Sequence, residues 1–152
     1  MKGSPESEAA RARAFLFTHL RQTGQAPTLK ETASGLDCEL DAVKLVFAEL
    51  ARTGTLVLDG ESGEIWRAAP FCAVPTEFEV RTSSGVRYRA TCAWDAFGVP
   101  AALGESGEIR SSCACCNQPM TLTTGPFGVA GNSGVVHFAV PTRHWYDDLV
   151  FT

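Results

Sequence analysis

Apolar residues recur every three or four positions from Glu8 to about Thr23, with Ala9, Ala12, Phe15, Leu16, His19 and Leu20 on one face. That spacing predicts an amphipathic helix, and Gly24 is placed to stop it. Thr28-Leu29-Lys30-Glu31 has the form of a capping box, which predicts a short helix from Leu29 to about Ser34, with Gly35-Leu36-Asp37 turning the chain. A second helical stripe (Leu40, Val43, Val46, Phe47, Leu50) spans Glu39 to Thr53 and ends at Gly54. Thr55 to Leu58 and Glu64 to Ala68 flank Asp59-Gly60-Glu61-Ser62-Gly63, the pattern of a hairpin.

After Pro70 the period shortens to two. Glu77 to Arg81 alternates polar and apolar residues, Ser83-Ser84-Gly85 turns the chain, and Val86 to Ala90 returns as a second strand. Trp94 to Leu103 is mostly apolar and predicts a short buried helix, interrupted near Gly98 and Pro100. Glu108 to Ser112 and Met120 to Thr124 predict strands on either side of a cysteine cluster. Gly125 to Gly134 predicts a loop, Val135 to Val140 a strand ended by Pro141, and Thr142 to Asp148 a short helix capped by Thr142. The chain stops in Leu149-Val150-Phe151-Thr152, the start of another apolar β-like run. A terminus of that kind is expected of a fragment of a longer chain or of a naturally shortened relative.

The expected fold is therefore α+β: a winged-helix-like helical region over residues 1–69, followed by a β-rich region over 70–152. Charge decides against reading the first region as a DNA binder. Acidic side chains outnumber basic ones there, the net charge of the whole chain is −4, and a phosphate backbone calls for a basic footprint. No nucleic acid is expected as a partner. No apolar run approaches the roughly 20 residues that cross a bilayer, and the first residues lack the apolar core of a secretory signal. No membrane partner is expected either, and the location is read as cytoplasmic. Six cysteines in a reducing compartment point to reactive or metal-binding thiols more than to disulfides.

Two thiol groupings carry candidate chemistry. Cys92 and Asp95 stand three residues apart where a strand gives way to a helix. A thiol there gains thiolate character from the helix N-terminus, and the carboxyl beside it can carry a proton. Spacing alone equally allows a buried cysteine with Asp95 as an N-terminal helix residue. Cys113, Cys115 and Cys116 form the second grouping, with a C-x-x-C inside it. Structural zinc normally takes four ligands, so Cys92, Asp95 or His137 would have to complete such a site. Mercury or copper(I) suits thiolates better, and a turn of small side chains is the plain alternative. Cys38 and Cys72 are expected to be packing residues, His19 a satisfied core histidine, and His144-Trp145 with Asp147-Asp148 a capped surface turn. His137 can point into the cavity of the thiols.

The run from Phe78-Glu79-Val80 through Tyr88-Arg89-Ala90-Thr91-Cys92-Ala93-Trp94-Asp95 to Gly104 resembles organomercurial lyase (alkylmercury lyase), a family with a Cys-Ala-x-Asp step followed by an apolar stretch, a proline and a glycine. Ser111-Ser112-Cys113 with Pro119 is similar to that family's next segment, and Val135 to Pro141 to the strand before its last one. The helical region matches the family's N-terminal half. The resemblance implies that Cys92 binds mercury as a thiolate and that Asp95 takes the thiol proton and delivers it to the carbon leaving mercury. Small organometallic substrates or a soft metal ion, and low-molecular-weight thiols, are the implied partners. Hg(II) is the product or ligand, and no cofactor is required.

The family's second active-site cysteine follows a phenylalanine near the end of the chain. Here Leu149-Val150-Phe151-Thr152 occupies that stretch and no cysteine follows it. Either a longer chain carries that thiol past Thr152, or this relative lacks it, with Cys115 or Cys116 as the candidate replacement. The alternative reading is a non-catalytic, thiol-rich protein on the same fold, binding Hg, Cu or Zn through Cys92, Cys113, Cys115 and Cys116. A winged-helix regulator is the third.

Overall fold

The computed structural model describes residues 5–125, 127–131, 134–145 and 147. Helix α1 (Pro5–Thr23) buries Ala12, Leu16 and Leu20 from its predicted stripe. Helix α2 (Leu29–Leu36) starts at the capping box: the Thr28 hydroxyl accepts from the Glu31 N–H at 3.1 Å, and the Glu31 carboxylate accepts from the Thr28 N–H at 2.7 Å. An N-cap of this kind contributes about 1 kcal/mol. The helix runs two residues further than its stripe suggests, because Asp37 adopts the left-handed conformation (φ 52°) and closes the last carbonyls. Helix α3 (Leu40–Arg52) buries Val43, Phe47 and Leu50.

Strands β1 (Val57–Leu58) and β2 (Ile65–Ala68) form the expected hairpin, and β3 (Phe71–Cys72) adds a third strand that the sequence did not announce. Two residues are too few to show a period. The strand is defined by its pairing with β2, which places Cys72 opposite Arg67 and Phe71 opposite Ala68.

The larger sheet has five antiparallel strands in the order β5-β4-β6-β7-β8. They are β4 (Phe78–Thr82), β5 (Arg87–Ala90), β6 (Gly107–Ser112), β7 (Pro119–Gly125) and β8 (Gly128–Gly131). Helix α4 (Ala93–Leu103) follows β5 directly and packs on the sheet. The break expected in α4 does not occur. Pro100 gives up one helical hydrogen bond, but its ring is fully buried against Gly107 of β6, and that packing holds the helix together. One cluster of buried side chains unites helices and sheets: Leu16, Leu20 and Phe47 with Phe71, Val80, Tyr88, Val99 and Ile109. At about 1.5–3 kcal/mol for each large apolar side chain, this core fixes the position of α4. The Tyr88 hydroxyl adds a tie from β5 to α1, donating to the Arg21 carbonyl at 2.8 Å. The fold is α+β.

Three expectations fail near the end of the chain. The glycine-rich stretch predicted as a loop contains β8, which pairs with β7 through main-chain bonds that need no side chains. Val135 to Val140, predicted as a strand, is irregular. Of its apolar residues Val135 and Val136 are exposed, and Phe138 packs against Trp94 at the start of α4, so strand composition here produces no ladder. The predicted helix from Thr142 is a single 3₁₀ turn (Thr142–His144) preceded by Pro141, and Thr142 makes no side-chain cap. The apolar run at residues 149–152 lies outside the described residues. No described helix is long and apolar enough to cross a membrane.

Candidate functional site

The junction between β5 and α4 builds the site. Cys92 has extended geometry (φ −149°, ψ 174°) and is the N-cap of α4. Its sulfur accepts the Asp95 backbone N–H at 3.5 Å, so the thiol occupies the place where a serine or aspartate oxygen usually caps a helix. The unsatisfied N–H groups of the first turn favour negative charge there. The expectation of a thiol at the helix N-terminus is thus met in geometry. Cys92 is half-buried.

Asp95, in the first turn, is 6% exposed. Its Oδ2 accepts from the Thr91 hydroxyl at 2.5 Å and lies 3.1 Å from Nη2 of Arg67 on β2. The α4 start, the end of β5 and the small sheet therefore meet at one carboxylate. Sequence reasoning missed both partners. Thr91 stands four residues from Asp95, a helix-start spacing that could have been weighed. Arg67 stands 28 residues away, in another element, and no local pattern announces it.

Cys92 and Asp95 open onto a pocket of about 370 Å³. Arg67 lines it, as do Gly54 to Leu56 of the α3–β1 connection and Val57 of β1. His137 lines it too, as the sequence suggested. An aromatic group forms the mouth: Phe138 lies 5.1 Å from Trp145 and 6.2 Å from Trp94 between ring centroids. Trp145 was expected in a surface turn. Instead its ring joins this group, and its Nε1–H donates to the Val140 carbonyl at 2.9 Å. His144 and Asp147 do form the expected turn, with Nδ1 and Oδ2 at 2.8 Å.

The remaining cysteines divide into three environments. Cys72 is buried, as expected of a packing residue, and burial pushes its thiol pKa up. The nearby Asp95 charge adds to that rise, while a backbone N–H, Arg67 and Arg89 oppose it. Cys38 was expected to pack and is exposed instead, because it falls between α2 and α3 beside the cap residue Glu39. Cys113, Cys115 and Cys116 sit in the β6–β7 turn. The Cys113 sulfur is held below the usual thiol range by hydrogen bonds from the backbone N–H groups of Cys116 and Cys115 and from the Cys116 side chain. Among the described residues no group of three or more His, Cys, Asp or Glu side chains is placed to hold a metal ion. Cys92, Cys113, Cys115 and Cys116 are therefore not gathered into a single four-ligand centre.

Residues 71–152 match the family model described as MerB, alkylmercury lyase. Among solved structures, the crystal structure of the mercury-bound form of MerB2 superposes with a TM-score of 0.61 at 24% identity, over 81% of this chain. The chain spans 58% of the length of that structure's chain. At that identity the likeness is one of fold. A search of curated proteins finds no match.

Proposed function

The chain belongs to the alkylmercury lyase family, and on that premise we propose that it cleaves carbon–mercury bonds by protonolysis in the pocket shared by Cys92 and Asp95. The observation that carries this reading is the pairing itself: a thiol capping a helix and a buried carboxyl three residues on, both lining one cavity. The thiol of Cys92 loses its proton to Asp95 and its sulfur bonds to mercury. Thiolate donation makes the mercury-bound carbon more basic. Asp95 returns the proton to that carbon, the carbon–mercury electron pair forms the new C–H bond, and a hydrocarbon departs. Mercury stays on Cys92 as Hg(II) and leaves to a small thiol, whose sulfur also serves as the second ligand during the reaction. The aromatic mouth suits an apolar organic group. The chemistry as written calls on no resident metal.

The helical region with β1–β3 acts as a winged-helix-like structural half, contributing Arg67 and a pocket wall rather than a nucleic-acid surface. A reducing compartment such as the cytoplasm keeps Cys92 in the required state. A purely metal-binding role has no need of a proton donor at Asp95, so the lyase reading is preferred.

The test is benzene release from phenylmercury in excess small thiol. The unmodified chain releases benzene, and Cys92→Ser and Asp95→Ala each lose at least ~100-fold, the usual scale for removing a general acid. Release from Asp95→Ala at the parent rate overturns the proposal.

A further inference from the structure

Outside the pocket, the β6–β7 turn brings two thiols together in a defined backbone setting. Cys113 N–H donates to the Gln118 carbonyl at 2.9 Å, and Asn117 N–H donates to the Cys113 carbonyl at 2.7 Å, closing the turn. Asn117 takes the left-handed conformation at φ 57°, which asparagine tolerates better than most residues. The bond from Asn117 to the Cys113 carbonyl spans four residues and closes a single turn, on which Cys113 and Cys116, three residues apart, are neighbours. The two thiols of the C-x-x-C are thus presented from one closed turn, and hydrogen bonding lowers the pKa of the first. Cys116 is exposed and Cys113 half-buried, so an ion reaches both without any rearrangement of the fold.

We propose that Cys113 and Cys116 form a second, separate site that takes one soft, two-coordinate cation of the Hg(II) class as a bis-thiolate. Two S–H bonds break, two sulfur–mercury bonds form, and two protons leave to solvent. Low coordination is what the surroundings permit. Zinc normally takes four ligands in a structural site, and no group of three or more ligating side chains stands here among the described residues. A soft ion that favours thiolates is satisfied by two. Cys115, between them in sequence, is not assigned as a ligand.

The pair also lies at the same end of the sheet as the pocket thiol. Ala90 on β5 is registered with Phe78 on β4, and Arg110 on β6 with Glu79. Cys92 and Cys113 thus follow strands that both run out at the Phe78 end of β4, two strand spacings or about 10 Å apart. The site is argued from the turn alone and does not depend on the lyase reading.

The experiment equilibrates the full chain with mercuric chloride against an excess of a monothiol and counts the mercury retained. The unmodified chain, Cys92→Ser and Cys115→Ser retain a stoichiometric equivalent, while Cys113→Ser and Cys116→Ser lose it. In the unmodified chain, bound mercury shields Cys113 and Cys116 together from iodoacetamide, as read by mass spectrometry. That arm needs no variant and stands even if a substitution disturbs the turn. Zinc chloride under the same conditions is not retained. Retention in both the Cys113 and Cys116 variants, loss in Cys92→Ser or Cys115→Ser, shielding of a different pair, or retention of zinc each overturns the proposal. Because no organomercurial enters the experiment, failure to cleave phenylmercury leaves its outcome untouched.

Discussion

Arg67 Nη2 stands 3.1 Å from Asp95 Oδ2, and the two side chains are 16% and 8% exposed. This ion pair joins β2 of the small sheet to the first turn of α4. It fixes the carboxyl that the proposed chemistry needs, from a part of the chain that the family match does not include. Thr91 grips the same oxygen from the end of β5. The carboxylate is therefore held by two groups that arrive from different directions, and its position relative to the Cys92 sulfur follows from the fold rather than from its own rotamer.

Removing one member of such a pair leaves the other charge desolvated. Arg67→Met is expected to lower stability by about 3 kcal/mol, and Asp95→Asn in the same background to recover part of it. Urea denaturation of the two single variants and the double variant measures the coupling. Additive losses show that the pair is not coupled. Arg67→Met also lowers kcat for benzene release more than it raises KM, because the arginine positions the acid.

Thr91→Val removes a hydroxyl donated to a charged acceptor at nearly constant volume. The expected cost is about 1.5–3 kcal/mol, with a lower kcat. Thr91→Ser restores both, since it keeps the hydroxyl. If serine behaves like valine, the threonine methyl matters and the hydrogen bond does not.

Much of this arrangement was legible from local pattern. The stripes of α1 and α3, the Thr28/Glu31 capping box, and the alternation of β4 and β5 depend on neighbours in sequence, and the structure contains them. So was the Cys92–Asp95 step, because an N-cap and the first helical turn lie within four residues. What failed depends on partners distant along the chain. Arg67 acquires its role only when β2 meets α4. Val135 to Val140 has strand composition but is irregular and largely exposed, and only Phe138 finds aromatic partners, in Trp94 and Trp145. β8 has almost no side-chain signal, yet its main chain finds a partner in β7.

Gly24 shows how closely the helical region approaches the large sheet. It ends α1 at φ 74°, and a Cβ there would sit 2.0 Å from the Arg87 carbonyl oxygen on β5. Gly54 has nearly the same backbone angle, φ 75°, with nothing within 4 Å. Gly54→Ala should cost about 1–2 kcal/mol for the left-handed conformation alone. Gly24→Ala should cost distinctly more, since the backbone contact must also open. Equal losses in thermal or urea unfolding are inconsistent with a tight α1–β5 approach.

Trp94 is 58% exposed, yet its ring forms one side of the pocket mouth with Phe138 and Trp145. Trp94→Ala should raise KM for phenylmercury several-fold, since an aromatic contact is worth about 0.5–1.5 kcal/mol beyond the area it buries. The effect on methylmercury should be smaller, because a methyl group offers little surface to the ring. Equal effects on both substrates place the organic group away from these rings.

The two thiols with displaced pKa values move in opposite directions, which separates their chemistry by pH. Hydrogen bonds favour the Cys113 thiolate, so its iodoacetamide labelling should rise at lower pH in the folded chain than in the chain unfolded by urea, where a thiol titrates near about 8.5. Burial disfavours the Cys72 thiolate, so its labelling should be displaced to higher pH in the folded chain, and slow at every pH until unfolding. The linkage signs follow. The depressed Cys113 pKa contributes stability above the unfolded thiol pKa and loses it as pH falls through the folded value. The raised Cys72 pKa contributes stability below the unfolded value and loses it as pH rises through the folded one. Alkaline pH therefore weakens the fold through Cys72 while it leaves the Cys113 turn intact. Cys72→Ala should flatten the alkaline fall in stability. Site-resolved labelling against pH checks both directions, and identical profiles for the two cysteines contradict the environments assigned to them.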